Sequence, residues 1–344
     1  KHDFVNAKDI NGMPPLSYAI DRNNPDIVKS LFKGGADINI SDKDGNTPLE
    51  NATWKNNLAA IRVLLGLGAK DSLLAACEGN DEERVKRLLD NGNEAKELIN
   101  QTRSYDKSTP LIIATEKRNA KIVQQFLNFS NETKTIIDVT ISNKNGWTAL
   151  SYASKNGDFE IVKLLLQFNG ININATVSND VGINATNSFL AMLGNNPLGN
   201  NKSVFEGMTS LNIACHEGHE KIVELLLDQP DIDVNLSGAN GNTPLINATE
   251  KGNEKVVAML LAKDDLEINI QSKVNGKTAL NVAATKGYET IVKLLVEQGG
   301  ADTNIPDNDG NTPLENANKQ GKTTMVDVLR DLGAKDSLLA ACEG

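Results

Sequence analysis

One spacing restricts this chain more than any other. Aligned on the leucine that follows a Thr-Pro step or its equivalent, the sequence repeats at Leu16, Leu49, Leu111, Leu150, Leu211, Leu245, Leu280 and Leu314. Leu16 and Leu49 are 33 apart, Leu211 and Leu245 are 34, Leu245 and Leu280 are 35, and Leu280 and Leu314 are 34. The stretch Gly241 to Asn269 shows what recurs. Asn240-Gly241 is a turn in which glycine permits a positive φ. Thr243 is a good N-cap and Pro244 a good first helical residue, because proline lacks the amide hydrogen that goes unpaired there. Leu245 and Ala248 share a helical face. Lys251-Gly252-Asn253 breaks that helix, and Glu254 to Leu261 forms a second with Val256, Val257, Leu260 and Leu261 at helical spacing. The stretch then runs extended through Glu267-Ile268-Asn269. Such a helix pair has two apolar faces and cannot bury both alone, so it needs a neighbour on each side.

The residues at this period resemble the ankyrin repeat: GNTPLENA at Gly45, GWTALSYA at Gly146, GKTALNVAATKGYETIVKLL at Gly276 and GNTPLENA again at Gly310. The resemblance covers nearly the whole chain and implies an all-α solenoid of about nine stacked helix-turn-helix units with short finger loops. Residues 1–174 and 205–344 read as repeats, and residues 175–204 as an insertion or a degenerate repeat. Two departures stand out. Leu73 of DSLLAACEG follows Leu49 by only 73 − 49 = 24, so the finger is missing there and Gly68-Ala69-Lys70 leads almost directly into a helix that Asp71 or Ser72 can cap. The linker after that unit lengthens, and a long finger is expected over 128–142. The family's TPLH histidine is absent: Ser17, Glu50, Ile112, Ser151, Asn212, Ile246, Asn281 and Glu315 take its place, so its hydrogen bonds fall to shorter polar groups or are lost. GAKDSLLAACEG recurs letter for letter at Gly68 and Gly333, and the offsets 333 − 68 and 310 − 45 are both 265, a super-repeat laid over the short period. Both ends fall inside repeats, and the expectation is a fragment of a longer array.

Bulk numbers exclude some functions. A net charge of −10 argues against nucleic acid, which a basic face would have to neutralise, and suits a neutral or basic protein partner. No apolar run is long enough to span a bilayer. Cys77, Cys215 and Cys342 occupy one register position in separate repeats, poor geometry for a disulfide, so reduced core thiols and a reducing compartment are expected. Cys215-His216-Glu217-Gly218-His219 is not a metal motif, since Gly218 breaks the helix between the histidines; by resemblance His219 is structural. No phosphate loop or nucleophile-base set is present, and neither a cofactor nor a metal is expected.

Binding is therefore the expectation. In the family, partners dock on the concave side, built from finger tips and the exposed ends of first helices. Carried onto this chain, that face includes Met13, Lys43, Asp44, Asn46, Trp54, Tyr105, Trp147, Phe205, Met208, His216 and Lys277. Trp54 and Trp147 are the only two tryptophans, and tryptophan and tyrosine are enriched at interface hot spots. The competing reading is that these rings cover apolar gaps, Trp54 beside the fingerless junction and Phe205 beside the insertion. Within the insertion, Phe189, Leu190, Met192 and Leu193 either fold back onto the stack or await a partner. The expected function is a non-catalytic scaffold, more readily monomeric than oligomeric, that grips another protein. Alternatives are the recruiting arm of a larger secreted enzyme or toxin, and a purely structural spacer. Long irregular arrays rich in Asn, Lys and Ile are similar to those of secreted effectors of intracellular bacteria, which implies a cytoplasmic site, including a host cytoplasm, and a host protein as partner.

Overall fold

The computed structural model describes residues 4–43, 45–178 and 204–335. The expectations placed on Asp44, on Phe189, Leu190, Met192 and Leu193, and on Cys342 lie outside the described residues. The chain forms two compact units, Lys1–Tyr152 with Lys163–Ile171, and Ala153–Val162 with Asn172–Gly344. The first contains the helix pairs α1 (Pro15–Asp21) and α2 (Pro25–Lys33), α3 (Pro48–Trp54) and α4 (Leu58–Gly66), α5 (Leu73–Glu78) and α6 (Glu82–Asp90), then α7 (Gly92–Leu98), α8 (Pro110–Glu116) and α9 (Ala120–Thr133). Helices α10 (Ala149–Asn156) and α11 (Phe159–Leu165) are divided between the units. The second unit continues with α12 (Ser210–Glu217), α13 (Glu220–Leu227), α14 (Pro244–Lys251), α15 (Glu254–Leu261), α16 (Ala279–Lys286), α17 (Glu289–Lys293) with a π turn over Leu294–Gln298, α18 (Pro313–Lys319) and α19 (Thr323–Asp331).

The local chemistry repeats with the helices. Thr47, Thr109, Thr209, Thr243, Thr278 and Thr312 each cap a first helix, the hydroxyl accepting from the backbone N–H three residues on. Asn24, Asn57, Asp81, Asn119 and Asn253 do the same for second helices. First helices then pack on first helices, α1 on α3, α3 on α5 and α5 on α8, and likewise α12, α14, α16 and α18 in the second unit. Second helices form the other layer. Burial of Leu49, Ala52, Leu64, Val85, Ile113 and Val123 in one unit, and of Leu211, Val257, Leu260 and Leu295 in the other, removes the apolar faces from water. Each large aliphatic chain so buried contributes roughly 1.5–3 kcal/mol. In the fingers, backbones approach too closely for a side chain at some points: a Cβ on Gly241 would sit 2.2 Å from the Lys273 nitrogen.

Asparagine ties each repeat to the next. The Asn174 amide donates to Asp231 O at 2.7 Å and its oxygen accepts from Asp233 N at 3.0 Å. Asn235 does the same with Asp265 O at 2.7 Å and Glu267 N at 2.9 Å, and Asn100 with Ile136 O at 3.0 Å and Asp138 N at 2.9 Å. The missing TPLH histidine is answered unevenly. Asn212 Nδ2 reaches Leu236 O at 2.6 Å and Asn281 Nδ2 reaches Ile305 O at 3.3 Å, both in the following loop. Glu50 and Glu315 close capping boxes instead, and Ile112 and Ile246 have no polar group to offer.

The chain between Leu73 and Leu150 differs from expectation. Helix α9 runs to Thr133, so the first part of the long finger expected over 128–142 is helix, held by the burial of Phe126, Leu127 and Phe129. The lengthened linker contains α7, which buries Ala95 and Leu98. At the fingerless junction Ser72, not Asp71, caps α5, its hydroxyl accepting from Ala75 N at 3.0 Å. Asp71 instead accepts from Arg84 Nε at 2.8 and 2.9 Å, and the Arg84 side chain is 3% exposed.

Candidate partner-binding site

Skipping one finger has a geometric consequence. Helix α5 lies between α3 and α8, yet the finger before α3 meets the finger before α8 across it. A Cβ on Gly45 would stand 3.2 Å from Ser104 Cβ, and Ser104 Oγ lies 3.5 Å from Asn46 Oδ1. The missing finger leaves a shallow open cleft of about 30 Å³. Leu74, Ala75 and Glu78 of α5 form its floor, and Asn46, Glu50, Asn51, Trp54, Arg103 and Tyr105 line the rest. Trp54, the last residue of α3, is 60% exposed. Its ring centroid is 5.9 Å from that of Tyr105. The Arg103 guanidinium stacks on Tyr105, 4.5 Å from the ring centroid.

The charges are laced together. Arg103 donates to Glu78 at 2.6 Å and, through Nε, to Asp106 at 2.9 Å, while Lys117 donates to the other Glu78 oxygen at 2.7 Å. Burial works against the Arg103 charge, but Asp106 and Glu78 outweigh it and raise its pKa above the ordinary value. Burial also opposes the Asp106 charge, and hydrogen bonds from Arg103 and Ser108 win, so its carboxyl titrates below the usual range. The Tyr105 phenol is pushed up to about 12: burial is the largest cause, Arg103 pulls the other way, and Asp106, Glu78 and Glu116 add to the rise.

Asn46, Trp54 and Tyr105, named from the repeat register, thus come together, although they belong to repeats that are not consecutive. Glu78, Arg103 and Leu74 are functional candidates that sequence reasoning missed. Glu78 sits in the recurring GAKDSLLAACEG, but nothing in that string shows that Arg103 pairs with it. Lys43 is exposed and Met13 half-buried among Asp9, Tyr18 and Leu31.

Two assignments are corrected. Trp147 is 6% exposed and cannot reach a partner; its ring packs against Tyr152 with centroids 5.0 Å apart, because Asn143 holds the finger backbone down through Trp147 N. Met208 is fully buried: its carbonyl accepts from Val177 N at 3.0 Å, and its side chain lies where a Cβ on Gly238 would be 2.9 Å from Cγ. Phe205 is half-buried, with His216 edge-on at 5.5 Å and the Lys155 ammonium 5.4 Å from its centroid, which favours the gap-covering role for that ring. His216 also contacts Glu217 at 3.0 Å. His219 has a separate role, its Nε2 3.1 Å from Lys155 O and its ring against Gly157. Lys277 is half-buried and its ammonium lies 3.4 Å from the Thr285 hydroxyl. Burial raises the thiol pKa of Cys77 and Cys215, which makes both poor nucleophiles.

A family model described as ankyrin repeats in three copies matches residues 1–72, 73–177, 181–272 and 264–338. The chain belongs to the ankyrin-repeat family. Ankyrin repeats generally mediate protein–protein interaction, and the fold is typically non-catalytic. Among curated proteins, this ankyrin chain is 30% identical over 139 residues to a probable serine/threonine-protein kinase of Dictyostelium discoideum, covering 38% of this chain and 16% of that protein. It is 30% identical over 146 residues to the tyrosine-protein kinase HTK16 of Hydra vulgaris, covering 39% of this chain and 18% of that one. The matched segment is therefore under a fifth of either relative. The ankyrin repeat domain of Bcl-3 superposes with a TM-score of 0.58 at 21% identity, over 76% of this chain and 98% of that one, a likeness of fold. Among the described residues, no helix is long and apolar enough to cross a membrane.

Proposed function

We propose that this ankyrin array is a non-catalytic recognition module that binds another protein on the side formed by its fingers and first-helix ends, the concave side in this family. The observation that carries this reading is Trp54: a large ring, 60% exposed, at the end of a first helix and beside an open cleft. Exposed tryptophan next to a pocket is a typical hot-spot arrangement. Buried free Cys77 and Cys215 support a reducing, cytoplasmic setting for this activity. A second reading, in which the array recruits substrates for a larger enzyme, is favoured by the two kinase relatives and uses the same face.

The test is capture of binding proteins from cytosolic extract on the immobilised chain and on Trp54→Ala and Tyr105→Ala variants, with helicity checked by circular dichroism. Loss of the captured proteins at unchanged helicity is expected. Equal capture by folded variants would remove this face from consideration.

A further inference from the structure

The cleft at the skipped finger has a floor and a charge that select a particular side chain, and the following rests on the reading of Trp54 as a partner-binding residue. Glu78 apart, the floor is apolar, from Leu74 and Ala75. The wall is the open face of Trp54. The lining carries two acids, Glu50 and Glu78, against one base, Arg103, a balance of −2 + 1 = −1. Arg103 is already engaged by Glu78 and Asp106, and Glu78 also by Lys117. Glu50 lines the cleft, and its capping-box hydrogen bonds all use Oε2. An occupant that matches has an aliphatic stem for the floor and a cation for the rim and the indole face.

We propose that the cleft of the first unit accepts a lysine or arginine side chain from a basic segment of the partner protein. The stem lies over Leu74 and Ala75, the charge sits against the Trp54 ring, and Glu50 supplies the attraction. Cation–π contact with tryptophan and attraction to the carboxylate act together here. Salt weakens the interaction, because the attracting carboxylate is solvent-accessible.

Trp54 is its own reporter. In a Trp147→Phe variant it is the sole tryptophan. That variant is titrated with three blocked seven-residue peptides that differ only in the central triplet: Arg-Lys-Arg, Gln-Gln-Gln and Glu-Asp-Glu. The basic peptide is expected to change Trp54 emission saturably and bind at least about tenfold more tightly than the neutral one. Binding should fall severalfold in Glu50→Gln and with added salt. Equal or tighter binding of the neutral or acidic peptide overturns the proposal, as does the absence of a saturable change with any peptide. Either result leaves the broader reading of the face to the capture assay, which does not depend on charge. If Trp147→Phe loses helicity, the same titration is read as the wild-type emission change that Trp54→Ala abolishes.

Discussion

Replacing Arg84 with methionine tests how the chain survives without a finger at Asp71. The pair closes the connector between α4 and α5: Arg84 is 3% exposed, Asp71 is 15% exposed, and the guanidinium spans both carboxylate oxygens. Methionine keeps most of the packed stem and removes the charge. Breaking a buried pair by removing one partner costs about 3–5 kcal/mol, since the remaining charge is left without its hydrogen bonds. The residual exposure of Asp71, and the Arg87 guanidinium 3.6 Å from it, place the cost at the low end, about 3 kcal/mol. Replacing both residues, Arg84→Met with Asp71→Leu, removes the stranded charge and should recover about 2 kcal/mol of that loss. Global melting is a poor readout for a repeat array, whose stability is a sum of neighbouring terms. Amide hydrogen exchange resolved over residues 67–90 is the assay. About 3 kcal/mol corresponds to roughly a hundredfold faster exchange there. Exchange in α14 and α15 of the second unit should not change. If Arg84→Met alters exchange at the junction less than about tenfold, or if the double variant is as labile as the two single losses added, Asp71 is not held as described.

Other outcomes follow from the same geometry. Asn235→Ala removes two inter-repeat hydrogen bonds, and about 1–2 kcal/mol of local stability should be lost around 262–269, read by exchange protection. Gly157→Ala sets a Cβ 2.8 Å from the His219 ring at a φ of +75°, so a local destabilisation of at least about 1–2 kcal/mol is expected, read by amide exchange protection around Gly157 and His219. Tyr105, pushed up to about 12, holds its proton more tightly folded than unfolded. Its contribution to stability is therefore complete below the ordinary tyrosine value near 10 and is lost as pH rises from there through about 12. Ultraviolet difference titration of wild type against Tyr105→Phe should show the late phenolate; ionisation near pH 10 would contradict the burial described.

Much of the fold was legible because its signals are local. The Thr caps, the prolines at first helical positions and the spacing of Leu245, Val256 and Leu260 each act within a few residues, and their recurrence gave the stack. The asparagine links were not legible as such. Asn174 and Asn235 look like ordinary loop residues until the next repeat brings a carbonyl and an amide to them. The long helix α9 was hidden for a related reason: Phe126 and Phe129 are buried by neighbours that the segment itself does not contain.

The candidate site divides along the same line. Register placed Trp54, Tyr105, Trp147 and Met208 at positions of one kind, and only packing separated them. Trp147 lies down on Tyr152 and Met208 is enclosed beside Val177 and Gly238, whereas Trp54 stands over a gap. The sequence determined the helix pair, its caps and the omission of one finger, since these depend on short-range backbone and side-chain chemistry. The tertiary structure decided that the omission would open a cleft, bring Tyr105 to Trp54 and lock Arg103 to Glu78, because those contacts join residues distant along the chain, and no short stretch encodes which surfaces meet.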